Sequence, residues 1–435
     1  MQNILVIYHY AGPEYPPRNS VLDHLYALER YAEARCFYVN IAVRRVPRYI
    51  WQIPFDLIVF HTSFLASRWN PLKFRRLIRK ISVVKDLPGV KIALPQDEFI
   101  YTTLLCDFIN EFRIDNIFSV ASPSEWPKIY AQVDRDRVSI DRILTAYLDG
   151  ATIDRIRFLE ARTGRRTVDI GYRAWRPAPW LGRHALLKRR VAEVFQQRAP
   201  AKGFSTNIST AEGDTLLGDA WYEFLVSCRY TIGVEAGASI LDSDGSIKRR
   251  TEIYMARNPR ASFAEIERQC FSDHEGSLQL RTLGPRNLEA AVAKTCQILV
   301  DGDYNGVLVP DEHYIALRPD FSNIDEVLEL LKCEDLRQAM VDKAYVDIVA
   351  SGRYTYRRFV EALLNRVPAG GAPRVRGGTS INVLHGRARV ADRRSWRAVA
   401  VIAPARAAFR RAAVGILSEA RARAVINWIR DFGRR

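Results

Sequence analysis

Two Rossmann-like α/β domains facing a cleft, followed by a basic C-terminal extension, are predicted by three observations. The chain of 435 residues is too long for one ordinary domain. Short apolar runs alternate with helix-length amphipathic segments, first over about 150 residues and again after residue 166, as parallel sheets covered on both faces require. Sixteen Arg and no Lys, against three acidic residues, are concentrated in residues 366–435.

In the first series, residues 4–8, 36–40, 57–60, 90–94, 117–120 and 140–144 read as strands, with residues 74–84 and 104–112 as the clearest helices. A charged helix over 154–166 connects to the second series. That series places strands at 168–172, 230–234 and 297–300, and helices at 185–197, 263–269, 285–294 and 323–331. Ser262 and Glu265 form a capping box, and Pro285 suits a first helical position, where its missing N–H costs nothing. Helices over 336–350 and 354–366 close the unit. Pro368, Gly370, Gly371, Pro373, Gly377 and Gly378 mark a linker. The expected organisation is one α/β domain at 1–152, a second at 167–366, and linker and Arg-rich tail at 367–435.

The tail carries +13 of the net charge of +16, so the remaining 365 residues are nearly neutral. That split argues against nucleic acid as a partner of the body. It predicts a tail dispensable for folding and attracted to an anionic membrane surface; a tail-mediated nucleic-acid-binding protein is the alternative from another class. The six cysteines are scattered without metal-ligand spacing and read as reduced thiols. With no run of about 18 apolar residues and no signal-peptide pattern, the expected compartment is the cytoplasm, with peripheral contact at the inner face of the membrane.

Glycine-rich dinucleotide and P-loop signatures, the nucleophile elbow and the zinc-protease motif are all missing, which weakens dehydrogenase, P-loop and hydrolase readings. The polar residues at strand ends and one helix start are what remain. Arg281 to Ala290 form a loop that turns at Gly284 and opens a helix at Pro285, whose free N–H groups and dipole suit an anion. Arg286 adds a guanidinium fork for a diphosphate. Glu289, one turn further in, suits ribose hydroxyls or serves only as a dipole partner of the helix. His61, Asp97 and Glu98 follow first-domain strands and are expected to face the cleft as acceptor-side catalytic residues, where a carboxylate or imidazole can take a hydroxyl proton. Strand-end capping is the alternative for these three. Asp242 and Asp244 make a D-x-D that, with Glu235 to Ser239, is read as donor- or acceptor-side contacts without a metal.

The stretch from Arg281 to Asn323, with Leu283 to Ala290, Gln297 to Leu299, Tyr304 to Gly306, His313, Tyr314 and Asp320 to Asn323, resembles the donor half of the GT-B "group 1" (family 4-like) glycosyltransferases. The resemblance extends more weakly over residues 1–365 through Asp23 to Ala27, Tyr38 to Asn40, Gln96 to Glu98 and Asp169 to Arg173. It implies a hexosyltransferase-like enzyme that moves a sugar from a nucleotide diphosphate sugar to a carbohydrate or lipid-linked acceptor in surface polysaccharide synthesis, with no cofactor. It also implies that the domain at 1–152 is the acceptor side and that at 167–366 the donor-binding one, that Glu289 holds the donor ribose and that Arg173 neutralises the diphosphate; Lys188, by its place on the next helix, and Glu235 are placed with the donor. The position of a second family Glu is Arg281 here. A catalytically inactive nucleotide-binding assembly module is the alternative.

Overall fold

The computed structural model describes residues 1–11, 18–368 and 379–416, with side chains up to residue 402. Six parallel strands form the first sheet: β1 (Gln2–Tyr8), β2 (Ala34–Asn40), β3 (Leu57–Phe60), β4 (Val90–Ala93), β5 (Asn116–Ser119) and β6 (Ser139–Arg142), in the order β2-β1-β3-β4-β5-β6. The first five were legible as apolar runs; the sixth, Ser-Ile-Asp-Arg with no buried residue, only partly overlaps the run expected at 140–144. Helices cover both faces of a parallel sheet, so a strand such as Ile4-Leu5-Val6-Ile7 must be apolar throughout rather than alternating.

The second sheet contains β7 (Val168–Arg173), β8 (Thr206–Ser209), β9 (Cys228–Gly233), β12 (Cys296–Val300) and β13 (Tyr314–Leu317) in the order β13-β12-β9-β7-β8, again all parallel. Between β9 and β12, the short antiparallel pair β10 (Ala236–Ala238) and β11 (Leu280–Thr282) brackets an insertion with two helices, Ser246–Arg257 and Phe263–Cys270. The capping box of Ser262 and Glu265 is present. Strand order reverses between β1 and β3 in one sheet and between β7 and β9 in the other. Those are the crevices, outside the carboxyl ends of the strands, where such sheets take ligands.

The insertion does not stay with its own sheet. Ile240, Ile247, Ile266, Cys270, Phe271 and Leu278 are buried in the same apolar cluster as the strands of the first sheet. The Tyr356–Leu364 helix also crosses over: Leu148 and Tyr354 to Tyr356 exchange backbone hydrogen bonds, and Tyr356 and Phe359 pack on His24.

A correction concerns residues 381–402, expected within a tail apart from the body. They form the first part of a helix, Ile381–Ile416, that lies along the β2 edge and buries Leu384, Ala388, Asp392, Ser395 and Val399. Both Asp392 oxygens accept hydrogen bonds, from Tyr8 Oη and Tyr26 Oη, each at 2.6 Å. Trp396 Nε1 donates to Tyr26 Oη, and its ring stacks on Tyr8. Arg35 Nε donates to Asn382 Oδ1 at 2.8 Å near the start of the strand. The net charge of this segment says nothing of its buried face, which is why composition mislabelled it. Residues 369–378 and those beyond 416, where the linker and the rest of the tail were expected, lie outside the described residues.

Candidate active site

Gly182 has φ +87°, and a Cβ there would lie 2.1 Å from Ser239 Oγ. Glycine therefore sets the start of the Arg183–Arg198 helix, which carries His184 and Lys188 to the carboxyl end of the second sheet. The Pro285–Val292 helix opens at Gly284, whose N–H donates to Asn287 Oδ1 at 3.1 Å. Its first turn carries Arg286, with Glu289 one turn on.

These two helices bring Lys188, Arg286 and Glu289 together with residues that sequence reasoning missed. Trp221, on the Asp219–Ser227 helix, donates from Nε1 to Glu289 Oε2 at 2.8 Å, and the Arg286 guanidinium lies 5.1 Å from the Trp221 ring centroid. Arg286 also donates to the carbonyl of Arg173. A pocket lined by Trp221, Tyr222, Arg286 and Glu289 is closed from the opposite side by Asn19 and Ser20. Asn19 Nδ2 donates to Tyr222 Oη at 3.2 Å, tying the first unit to the second. Burial pushes the Glu289 carboxyl up, against the Trp221 hydrogen bond and the Arg286 charge. The Lys188 ammonium has no hydrogen-bond acceptor among the described residues. Burial pushes it down, helped by Arg286 and opposed by Asp97 across the cleft.

Asp97 is partly exposed and sits at φ +55°, a backbone conformation that costs a non-glycine residue about 1 to 3 kcal/mol and is held by surrounding structure. The Arg68 guanidinium provides that restraint by donating to the carbonyls of Gln96 and Asp97, both at 2.6 Å. Trp69 Nε1 donates to Asp97 Oδ2 at 3.2 Å, while no donor among the described residues engages Oδ1. Burial raises the Asp97 carboxyl pKa, and Arg68 and Lys188 pull against it.

The other expected site residues are turned elsewhere. His61 caps a short helix at Thr62 and is buried: Nδ1 accepts from Ser63 N at 3.1 Å, and Nε2 meets His24 Nδ1 at 2.9 Å. This pattern assigns the proton to Nε2, so neither ring nitrogen is open to the cleft. Glu98 is fully buried inside the first unit, accepting from Ser119 Oγ at 2.6 Å, Val120 N at 2.8 Å and Tyr130 Oη. The expectation that His61 and Glu98 face the cleft is corrected by these bonds. Arg173 folds away over the Phe224 ring and donates to Asn207 Oδ1 at 2.7 Å and the Asn207 carbonyl at 2.8 Å, contributing only its own carbonyl to Arg286. Glu235 is buried against Gly302 and accepts from Tyr304 N at 2.8 Å. Asp242 and Asp244 cap the Ser246–Arg257 helix, accepting from the N–H groups of Ile247 (3.2 Å), Lys248 (2.8 Å) and Ser246 (2.9 Å).

One sequence signal existed for the missed pocket wall. The run Asp219-Ala-Trp-Tyr-Glu-Phe-Leu-Val has an acidic first turn and two adjacent aromatics. The helix is only nine residues, and nothing local ties it to Glu289, which is 68 residues away.

No protein-family model matches the sequence, and no curated protein matches it. Among solved structures, HepE of Anabaena in complex with UDP-glucose is similar at TM-score 0.46 and 10% identity, over 84% of this chain and 99% of HepE. Sucrose-phosphate synthase of Thermosynechococcus elongatus gives TM-score 0.45 and 11% identity over 84% and 98% of the two chains. AviGT4, a glycosyltransferase of avilamycin A biosynthesis, gives 0.39 and 11% over 83% and 99%. At these scores the likeness is one of outline only. The two-sheet α/β architecture rests on the strands and register of this chain itself.

Proposed function

We propose that this protein transfers a sugar from a nucleoside diphosphate sugar to a hydroxyl acceptor. The observation that carries the reading is the pocket between the two sheets, where Glu289 is held through one oxygen by Trp221 beside the guanidinium of Arg286. The remaining oxygen of Glu289 suits paired ribose hydroxyls. Arg286 and Lys188 suit the diphosphate, whose charge grows as the glycosidic bond breaks, without a divalent ion. Asp97, with one oxygen held and one open, is the general base for the acceptor hydroxyl; its raised pKa improves it as a proton acceptor. Closure of the cleft around both substrates would limit hydrolysis. The acceptor is read as a carbohydrate or lipid-linked glycan, and the arginines beyond residue 402 as a peripheral attraction to anionic membrane.

Binding of UDP, GDP, dTDP, CMP and ADP is measured first by thermal shift, since a ligand selective for the native state raises its apparent stability. For the nucleotide that binds, Glu289→Ala is expected to weaken affinity by about one to two orders of magnitude, from the loss of charge-assisted hydrogen bonds. Its stability should change by less than about 1 kcal/mol. Unchanged affinity would remove Glu289 from the site; tight binding without turnover of any sugar form would favour a binding module over an enzyme.

A further inference from the structure

The seam between the Ile381–Ile416 helix and the β2 edge uses one side of that helix and leaves the other to solvent. Val383, Arg387, Val390, Arg394, Arg397 and Val401 follow one another at alternating steps of four and three residues, which keeps all six on one outer stripe. At a rise of 1.5 Å per residue the stripe is about 27 Å long. The three arginines are exposed, and Val383, Val390 and Val401 are 49%, 48% and 74% exposed. Elsewhere the exposed arginines of helices are paired: Arg155 with Asp219 at 2.5 Å, Arg189 with Glu193 at 2.8 Å, and Arg198 with Asp325. Even Arg389, off the stripe, has Glu29 at 3.6 Å. Among the described residues no carboxylate pairs with Arg387, Arg394 or Arg397. The one acid in residues 381–402, Asp392, is turned into the seam, and the sequence from 403 to 416 adds Arg406, Arg410 and Arg411 and no acid.

We propose that this outer stripe docks the protein on an anionic lipid surface, with its arginines on lipid phosphates and its valines at the boundary of head groups and acyl chains. Guanidiniums interleaved with exposed apolar side chains fit a surface that is anionic above and apolar just below. A second copy of the stripe would set arginine against arginine, and a nucleic-acid backbone would take the guanidiniums but has no use for the valines. The inference rests on the membrane contact read above and gives it a place on the body of the protein, apart from the arginines beyond residue 402. The inner side of the same helix is clamped to the first sheet through Asp392, Tyr8 and Tyr26, so its orientation on lipid is passed to that sheet. Because the Trp396 ring also contacts Tyr10, just past the carboxyl end of β1, docking sets how far the first-sheet crevice stands from the lipid.

The test is co-sedimentation of the full chain with phosphatidylcholine vesicles, with and without phosphatidylglycerol. Binding is expected only with phosphatidylglycerol, decreasing as salt is added. Replacing the three arginines together, Arg387→Ala, Arg394→Ala and Arg397→Ala, should weaken it by about 10- to 100-fold. Val383→Ser, Val390→Ser and Val401→Ser together should weaken it by about three- to tenfold. Both variants should keep the native thermal midpoint, since every replaced side chain is exposed. Arg155→Ala, Arg189→Ala and Arg198→Ala remove the same charge elsewhere and should leave affinity within about twofold. Failure of the native chain to bind would withdraw the membrane contact itself. Native-like binding by the stripe arginine variant would withdraw the stripe alone and leave the contact to the arginines beyond residue 402. A control variant weakened as much as the stripe variant would reduce the effect to net charge, and a valine variant that binds as the native chain does would make the stripe a polyanion site; either result overturns the proposal.

Discussion

Two carboxylates, each held by an aromatic side chain, show how differently the seam and the cleft use the same chemistry. In the seam, each oxygen of Asp392 is held by a tyrosine hydroxyl, so the group joins the last helix to the first sheet. In the cleft, one oxygen of Glu289 is held by Trp221 while the other is left to the pocket. Glu98 and Asp97, neighbours in sequence, repeat the contrast. Glu98 accepts from three donors inside the first unit, whereas among the described residues Asp97 accepts through its side chain from Trp69 alone. A carboxylate with all its oxygens engaged supports the fold, and one anchored on a single side is aimed and still available to a ligand.

The largest effect that can break this comparison is removal of the seam. A chain ending at Pro368 loses the cover of the β2 edge and the burial of Leu384, Ala388, Val399 and Trp396. Several side chains worth about 1.5 to 3 kcal/mol each are involved, so denaturant unfolding should show a loss on the order of 5 kcal/mol or more, with aggregation through the exposed edge. Full stability in that truncated chain would return these residues to a detachable tail.

Next in size is the Asp97 and Glu98 pair. Glu98→Ala takes the acceptor from the O–H of Ser119, the O–H of Tyr130 and the N–H of Val120, and at up to about 1 to 3 kcal/mol for each buried donor it should unfold at markedly lower denaturant. Asp97→Asn keeps the shape and should leave stability within about 0.5 kcal/mol while lowering the rate of sugar transfer by about 10²- to 10⁴-fold. Equal stability losses in the two variants would erase the distinction between them.

The last effect, absent near neutral pH and growing only as acid is added, is a dependence on pH. Burial pushes the His24 imidazole down to about 4 and holds its partner His61 well below its ordinary value. In the unfolded chain both titrate near 6.5, so between that value and about 4 the unfolded state binds more protons. Stability is therefore fully present above about pH 6.5 and declines as pH falls, by up to about 1.4 kcal/mol per pH unit for each proton. Urea unfolding from pH 7 to 4.5 should show this slope, and His24→Phe should reduce it. An unchanged slope in His24→Phe would mean that other groups carry the acid sensitivity.

Much of the fold was written locally. The inner strands of the first sheet are largely apolar runs, and the capping box at Ser262 and the proline start at Pro285 are set by near neighbours. The short strands Thr206–Ser209 and Tyr314–Leu317 escaped notice, the first because its residues are polar and partly exposed, the second because a four-residue apolar run carries no period of its own. Glu289, Arg286, Lys188 and Asp97 were legible as candidates because strand ends and helix starts lie at the crevice of any such sheet.

The sequence by itself determined the two-sheet α/β architecture and the small set of polar residues that strand ends and helix starts could bring to a crevice, since periodicity and turn chemistry act over a few residues. Only the tertiary structure decided which carboxylates were spent. Whether His61 meets His24, whether Glu98 meets Ser119, and whether Asp392 meets Tyr8 depend on partners between 21 and 384 residues away. Composition places no constraint on such pairings. They are fixed when packing brings donors to buried acceptors, because a buried polar atom left without a partner costs more than any local preference of the chain supplies.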